Sequence, residues 1–166
     1  MFLTEGQIRT YLEQCLEISR QTPQGIFPPD IGAIVLDRNG EIIGRGYKTF
    51  ISGTNMVIHA EREALNQAGN EARGGTLITT LEPCIEIRRN QILKPCTALI
   101  QERGIEAVII GSRDKNFQIN GRGKQWLEQR GIKVKIYSRF EELRKQQEAL
   151  YKGNTHPDSY LNSQRS

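Results

Sequence analysis

Apolar residues recur along this chain with two periods, and the points where the period changes mark its elements. Over residues 4–20 the apolar positions Ile8, Tyr11, Leu12, Cys15, Leu16 and Ile18 share one face at helical spacing. Thr4, with Gln7 three residues on, supplies a capping-box start for that helix. Pro23, Pro28 and Pro29 then interrupt regular structure. The short β-branched run 31–36 reads as a strand, Asn39-Gly40 as a hairpin signal, and 41–47 as the returning strand. Helical spacing resumes over 58–68 and closes near Gly69, and a third strand over 76–81 follows the turn Gly74-Gly75. A helix is expected over 95–103, with Pro95 in its first turn and Gly104 at its end. A strand over 107–111, a helix over 123–129 closed by Gly131, a strand over 132–137 and an amphipathic helix over 140–152 complete the series.

Strands alternating with helices in the second half imply parallel pairing through right-handed crossovers. The hairpin adds an antiparallel side, so the sheet is expected to be mixed. No repeat at solenoid periods interrupts this order. Residues 1–152 therefore read as one domain, and the polar stretch 153–166 as a flexible C-terminal tail.

Composition narrows the class only a little. A chain of 166 residues can bury a core without disulfides. Lys and Arg number 23 against 19 Asp and Glu, a formal +4 that suits an anionic substrate but is shared by many proteins. Three cysteines, an odd set, argue against a stapled secreted domain. The stretch 1–7 lacks the basic-then-apolar pattern of a signal peptide, and no apolar run reaches the length of a membrane span. The expected location is the cytoplasm, with no membrane partner.

Candidate chemistry is concentrated in two places. His59-Ala60-Glu61 stands at a helix start; Glu82-Pro83-Cys84 ends a strand and is followed, after eleven residues, by Cys96 at the next helix start. Zinc takes imidazole nitrogen and thiolate sulfur in a tetrahedral set, and catalytic sites use three protein ligands with a fourth position left open. His59, Cys84 and Cys96 meet that count. Cys96 at a helix N-terminus is favoured as a thiolate, and Cys84 in the turn after a strand lies where α/β sheets place their ligand sites. Glu61, two residues from His59, reaches the same pocket without binding the metal, where a carboxylate can move a proton between water and a leaving amine.

Each residue also has an ordinary reading. A lone His at a helix start is commonly structural, a lone Cys is commonly a small core hydrophobe, and a Cys pair also serves structural zinc or redox chemistry. The ordered combination His-x-Glu, Pro-Cys, Pro-Cys, each at an element boundary, favours catalytic zinc. Cys15 has no such company and reads as core, as does Trp126; His156 falls in the tail.

The residues quoted resemble the His-x-Glu and Pro-Cys-x-x-Cys signature of zinc base deaminases, although Cys84-Ile85-Glu86-Ile87 lacks the second Cys at short spacing. The longer interval is similar to the deaminase domain of the riboflavin-pathway pyrimidine deaminase/reductase. The similarity extends to Ile31-Gly32-Ala33-Ile34-Val35, Gly44-Arg45-Gly46-Tyr47, Thr80-Leu81-Glu82-Pro83-Cys84, Asp114-Lys115-Asn116 and Gly121-Arg122-Gly123, and covers roughly 10–137. It departs at Phe27-Pro28-Pro29, where the family has Pro-Asn-Pro with a ring-holding Asn, and at Asp114-Lys115-Asn116-Phe117, where the family has Asp-Pro-Asn-Pro; no reductase-like stretch follows. The resemblance implies a cytidine deaminase-like fold: a three-layer α/β/α sandwich around a mixed five-stranded sheet. It further implies a homo-oligomer, commonly a dimer, and hydrolysis of the exocyclic C–N bond of a cyclic amidine, releasing ammonia. A pyrimidine nucleotide or an aminopyrimidine riboflavin precursor is the expected substrate.

Substrate contacts are expected from Asn55, with Thr54 beside it, from Arg88, Arg89 and Lys94 between the two cysteines, and from Asp114 and Asn116. Arginine suits bidentate phosphate contacts, although a basic loop is also an ordinary solvated one. Two other functions remain open. A deaminase of cytosine or adenine in single-stranded DNA or tRNA would hold flanking nucleotides with basic and aromatic surface residues, which this chain has in modest supply. A non-catalytic zinc-binding module would normally show four ligands and would have no use for Glu61.

Overall fold

Chain order in the computed structural model, which describes residues 3–85, 93–113 and 120–152, gives strands β1 (Gly32–Leu36), β2 (Ile42–Tyr47), β3 (Thr49–Phe50), β4 (Val57–Ile58), β5 (Thr76–Leu81), β6 (Ala107–Ser112) and β7 (Lys133–Ile136). The helices are α1 (Glu5–Ser19), α2 (Ala60–Ala68), α3 (Cys96–Glu102), α4 (Arg122–Glu128) and α5 (Phe140–Lys152). Five strands form one sheet in the order β2-β1-β5-β6-β7, and β3-β4 make a separate short hairpin. β1 runs antiparallel to β2 and β5, whereas β5, β6 and β7 are mutually parallel. The mixed sheet and its parallel second half are as the alternation of elements implies.

The two-residue period of a strand distributes each side chain to a layer. Ala33, Val35, Leu77, Val108 and Ile110 join α2, α3 and α4 in one core through Ala64, Leu65, Leu99, Ile100 and Leu127. Ile34, Leu36, Ile78 and Ile109 join α1 and α5 in the other through Ile8, Leu12, Cys15, Phe140 and Leu143. A sheet covered on both faces reads as near-continuous apolar runs, and the result is a three-layer α/β/α sandwich. Cys15 is a core residue, and burial pushes its thiol above the usual range. The α1 capping box is present: the Gln7 N–H donates to Thr4 Oγ1 at 3.1 Å and the Thr4 N–H to Gln7 Oε1 at 2.8 Å.

One close approach positions the rest of the molecule. A Cβ on Gly46 would fall 2.1 Å from the Ala60 carbonyl oxygen, and one on Gly44 would fall 2.1 Å from that of Ala64. The two glycines of β2 therefore let the backbone of α2 lie directly on the sheet. That contact sets where the N-terminus of α2 emerges.

Several boundaries differ from the sequence reading. Ile58 pairs with Thr49 in the β3-β4 hairpin, so α2 begins at Ala60 and His59, with ψ 152°, is its N-cap. Pro95 is likewise an N-cap with extended ψ 155° and not part of the first turn of α3. The β1-β2 connection is built around Asp37, whose Oδ1 accepts the Asn39 and Glu41 N–H groups at 2.8 and 3.0 Å, with Gly40 at φ 86°. The expected tail, 153–166, lies outside the described residues. Among those residues no helix is long and apolar enough to cross a membrane.

Candidate metal centre

Three element ends converge on one point. His59 caps α2 without using its side chain for the cap, Cys84 follows β5, and Cys96 opens α3. His59 Nδ1 lies 3.6 Å from Cys84 Sγ and 3.5 Å from Cys96 Sγ. All three atoms fall within 4.8 Å of one another. A tetrahedral zinc with bonds of about 2.3 Å to sulfur and about 2.0–2.1 Å to nitrogen separates such N and S atoms by about 3.6 Å. The donor set and its spacing fit zinc.

The scaffold holds these atoms from several sides. The Cys96 N–H, exposed by its place at a helix start, donates to Cys84 Sγ at 3.2 Å. The Cys84 carbonyl accepts the Thr97 N–H at 3.2 Å and the Thr97 hydroxyl at 3.0 Å. The two cysteines are thus fastened to each other through backbone and side chain. Donation from the Cys96 thiol and from the His59 ring pushes the Cys84 thiol down to about 4, overcoming its burial. Cys96, serving as that donor in a buried position, is pushed well up. His59 is raised, chiefly by its bond to Cys84. The surroundings thus favour the thiolate form of Cys84, and a bound dication deprotonates a coordinating thiol outright.

Glu61 stands in the first turn of α2, 2 % exposed. Its Oε2 has no hydrogen-bond partner among the described residues. Burial, opposed mainly by the nearby His59, raises the carboxyl to about 7. A buried polar atom without a partner normally costs free energy and calls for an explanation. Glu61 is electrostatically coupled to His59 and Cys84, so this unpartnered oxygen belongs to the same buried cluster.

A family model described as the cytidine and deoxycytidylate deaminase zinc-binding region matches residues 6–112. The chain belongs to that family. It is 34% identical over 145 residues to a diaminohydroxyphosphoribosylamino-pyrimidine deaminase of Buchnera aphidicola subsp. Schizaphis graminum, covering 87% of this chain and 93% of that protein. It is 33% identical over 154 residues to the riboflavin biosynthesis protein RibD of Aquifex aeolicus, of which it spans only 41%. Among solved structures, the Thermotoga maritima diaminohydroxyphosphoribosylaminopyrimidine deaminase/5-amino-6-(5-phosphoribosylamino)uracil reductase superposes with a TM-score of 0.71 at 34% identity, over 85% of this chain and 39% of that one. This deaminase therefore has zinc as its cofactor, and the cluster of His59, Cys84 and Cys96 is the group of residues that could hold it.

The remaining expected contacts separate. Thr54 is used within the β3-β4 turn, donating to the Ile51 carbonyl at 2.9 Å, and Asn55 is exposed beside it. Lys94 pairs through its ammonium with Glu102 on α3, and its carbonyl accepts from Arg62. Arg88, Arg89, Asp114 and Asn116 lie outside the described residues.

Two residues with unassigned roles stand close to the deaminase centre. Lys48 is buried, and its ammonium donates to the Phe27 carbonyl at 3.0 Å and the Pro29 carbonyl at 2.5 Å. It therefore fastens the Phe27-Pro28-Pro29 segment, and its charge acts to lower both His59 and Glu61. Glu82 is buried with its carboxylate against α4. A charged residue at the end of an otherwise half-buried strand was the available signal for Lys48. Glu82 stood within the quoted Glu82-Pro83-Cys84 stretch, but its role was not readable, because its partners lie about forty residues further along the chain.

Proposed function

We propose that this chain hydrolyses the exocyclic amine of diaminohydroxyphosphoribosylaminopyrimidine. The observation that carries this choice is the match to the Buchnera deaminase, which extends over 93% of that protein. His59 Nδ1, Cys84 Sγ and Cys96 Sγ would hold the zinc. When bound, the metal supplies Lewis acidity and lowers the pKa of water to about 7. Glu61 does the proton work: its Oε2 takes a proton from the attacking water and returns it to the amine nitrogen. The C–O bond forms first, the ring C=N electron pair moving to the ring nitrogen; once the exocyclic nitrogen is protonated the C–N bond breaks, that pair restores the ring π bond, and ammonia leaves. Burial raises the Glu61 carboxyl, which suits it to give back the proton that it takes.

Arg88 and Arg89 fall between two ligands in sequence and are proposed as phosphate partners. The phosphate is unchanged by the reaction, so their contribution is uniform binding and belongs in KM. Asp114, Asn116 and Asn55 are proposed on the polar edges of the substrate. A homodimer, as the resemblance implies, is the proposed assembly. The cytoplasm is the proposed location, supported by the absence of any disulfide among the three cysteines.

An ammonia-release screen tests the assignment. It compares the phosphoribosylated diaminopyrimidine, its dephosphorylated form, cytosine nucleotides, free bases and single-stranded oligonucleotides, with Glu61→Gln as the blank. Turnover is expected on the phosphoribosylated diaminopyrimidine. Activity confined to oligonucleotides or cytosine nucleotides would overturn the ring assignment.

A further inference from the structure

Glu82 directly follows β5 and is 2 % exposed. A carboxylate so placed must recover the solvation it has lost. It does so from the first turn of α4: Oε1 accepts the Gly121 N–H at 2.8 Å and Oε2 accepts the Lys124 N–H at 3.0 Å. Gly121 is the N-cap of that helix and Lys124 its third residue. These are the two donors that a capping box satisfies from within a helix. Here the helix cannot do so, because Gly121 has no side chain and a lysine ammonium accepts nothing. The cap is supplied from outside, by the residue that leads into Cys84.

The same helix start also bears on the next residue, since a Cβ on Gly123 would fall 2.3 Å from the Pro83 carbonyl oxygen. The Glu82 N–H donates to the Ser112 carbonyl at 2.8 Å. On the far side, Cys84 is held by Cys96 and Thr97 at the start of α3. Residues 82–84 are thus clamped between two helix N-termini and the end of β6, and Cys84 is the member facing His59.

We infer that Glu82 is a positioning residue for Cys84: by capping α4 it locks the turn that presents this sulfur. The inference rests on the zinc reading of the centre. Outer partners of metal ligands typically contribute about 10–100-fold to metal affinity. Glutamine keeps one acceptor oxygen but turns an amide NH₂ toward a backbone N–H, so Glu82→Gln breaks half of the cap with little change in volume.

The test measures zinc release to a chromogenic chelator, and thermal unfolding of zinc-loaded and metal-free protein, for the unmodified chain and for Glu82→Gln. Zinc is expected to leave Glu82→Gln roughly 10–100-fold faster. The gap between loaded and metal-free Tm should narrow accordingly, since a ligand stabilises by RT ln(1 + [L]/Kd) and a weaker Kd reduces it. A residue that merely caps a helix would lower both Tm values together and leave release unchanged, and that result would overturn the inference. Gly123→Ala presses on the Pro83 carbonyl oxygen at 2.3 Å and, less closely, on Glu82 Cγ at 3.1 Å, while the Glu82 carboxylate itself is kept. It is expected to hasten release as well, and it carries the same reading if Glu82→Gln does not fold. An unmodified protein that takes up no zinc would defeat the metal reading itself, whereas normal zinc uptake with unchanged release in both variants would defeat only the role of Glu82.

Discussion

Gly46→Ala perturbs the centre from outside it. The added methyl would sit 2.1 Å from the Ala60 carbonyl oxygen, 2.7 Å from the Ala64 nitrogen and 2.9 Å from Glu63 Cβ. Two of these three atoms are backbone, so no side-chain rotation relieves the clash. To restore an ordinary contact of 3.4 Å, the first turn of α2 must withdraw from β2 by about 1.3 Å. That turn carries His59 and Glu61. Overpacking of this kind costs about 1–3 kcal/mol, and for a chain of this length each kcal/mol moves Tm by about 2–4 °C. The functional loss should be larger than the stability loss suggests. A displacement of about 1 Å can cost on the order of 10²-fold in rate, while the two cysteines, held by α3, stay behind. The assay is thermal unfolding, elemental zinc analysis and ammonia release on one preparation. A variant with unmodified Tm, full zinc and unmodified turnover would refute the claim that the glycines of β2 set the position of His59 and Glu61.

Glu61→Gln should retain zinc and fold while turnover falls by about 10²–10⁴; turnover within tenfold of the unmodified protein, with zinc bound, would remove Glu61 from the proton path. Lys48→Met should leave the Phe27 and Pro29 carbonyls without their ammonium, lowering stability by about 1–3 kcal/mol and hastening proteolysis within 25–30; unchanged cleavage there would show that the segment does not depend on Lys48. Cys15→Ala should cost about 1 kcal/mol with zinc content unchanged, and loss of a zinc equivalent from folded protein would contradict its place in the core.

The layers of the fold were legible because Ile34, Leu36, Ala33 and Val35 alternate between two cores, and α1 announces itself through Thr4, Gln7 and its apolar stripe. The β3-β4 hairpin was not, because two residues per strand carry no period. Missing it moved the predicted start of α2 back onto Ile58. The clustering of His59, Cys84 and Cys96 could be read because each stands at an element boundary, and a doubly covered sheet brings such boundaries together. Glu82 could not be read, since its partners on α4 are set by tertiary packing and not by any local pattern. The ion pair of Lys94 was hidden for a related reason. Its charge was visible, but Glu102, which engages it, becomes a neighbour only once α3 has formed.

The fastening of Cys84 to Thr97 and Cys96 has an evolutionary consequence. Because Cys84 is joined directly to Cys96 and Thr97 at the start of α3, the mutual placement of the two sulfurs does not rest on the chain between them alone. Lengthening a flexible connection is inexpensive, about 0.6 kcal/mol for each doubling. A lineage can therefore change the number of residues between the two cysteines while the contacts that join Cys84 to Cys96 and Thr97 are kept. The eleven-residue spacing of this chain, set against the two-residue spacing of the common base-deaminase signature, is a difference of that kind.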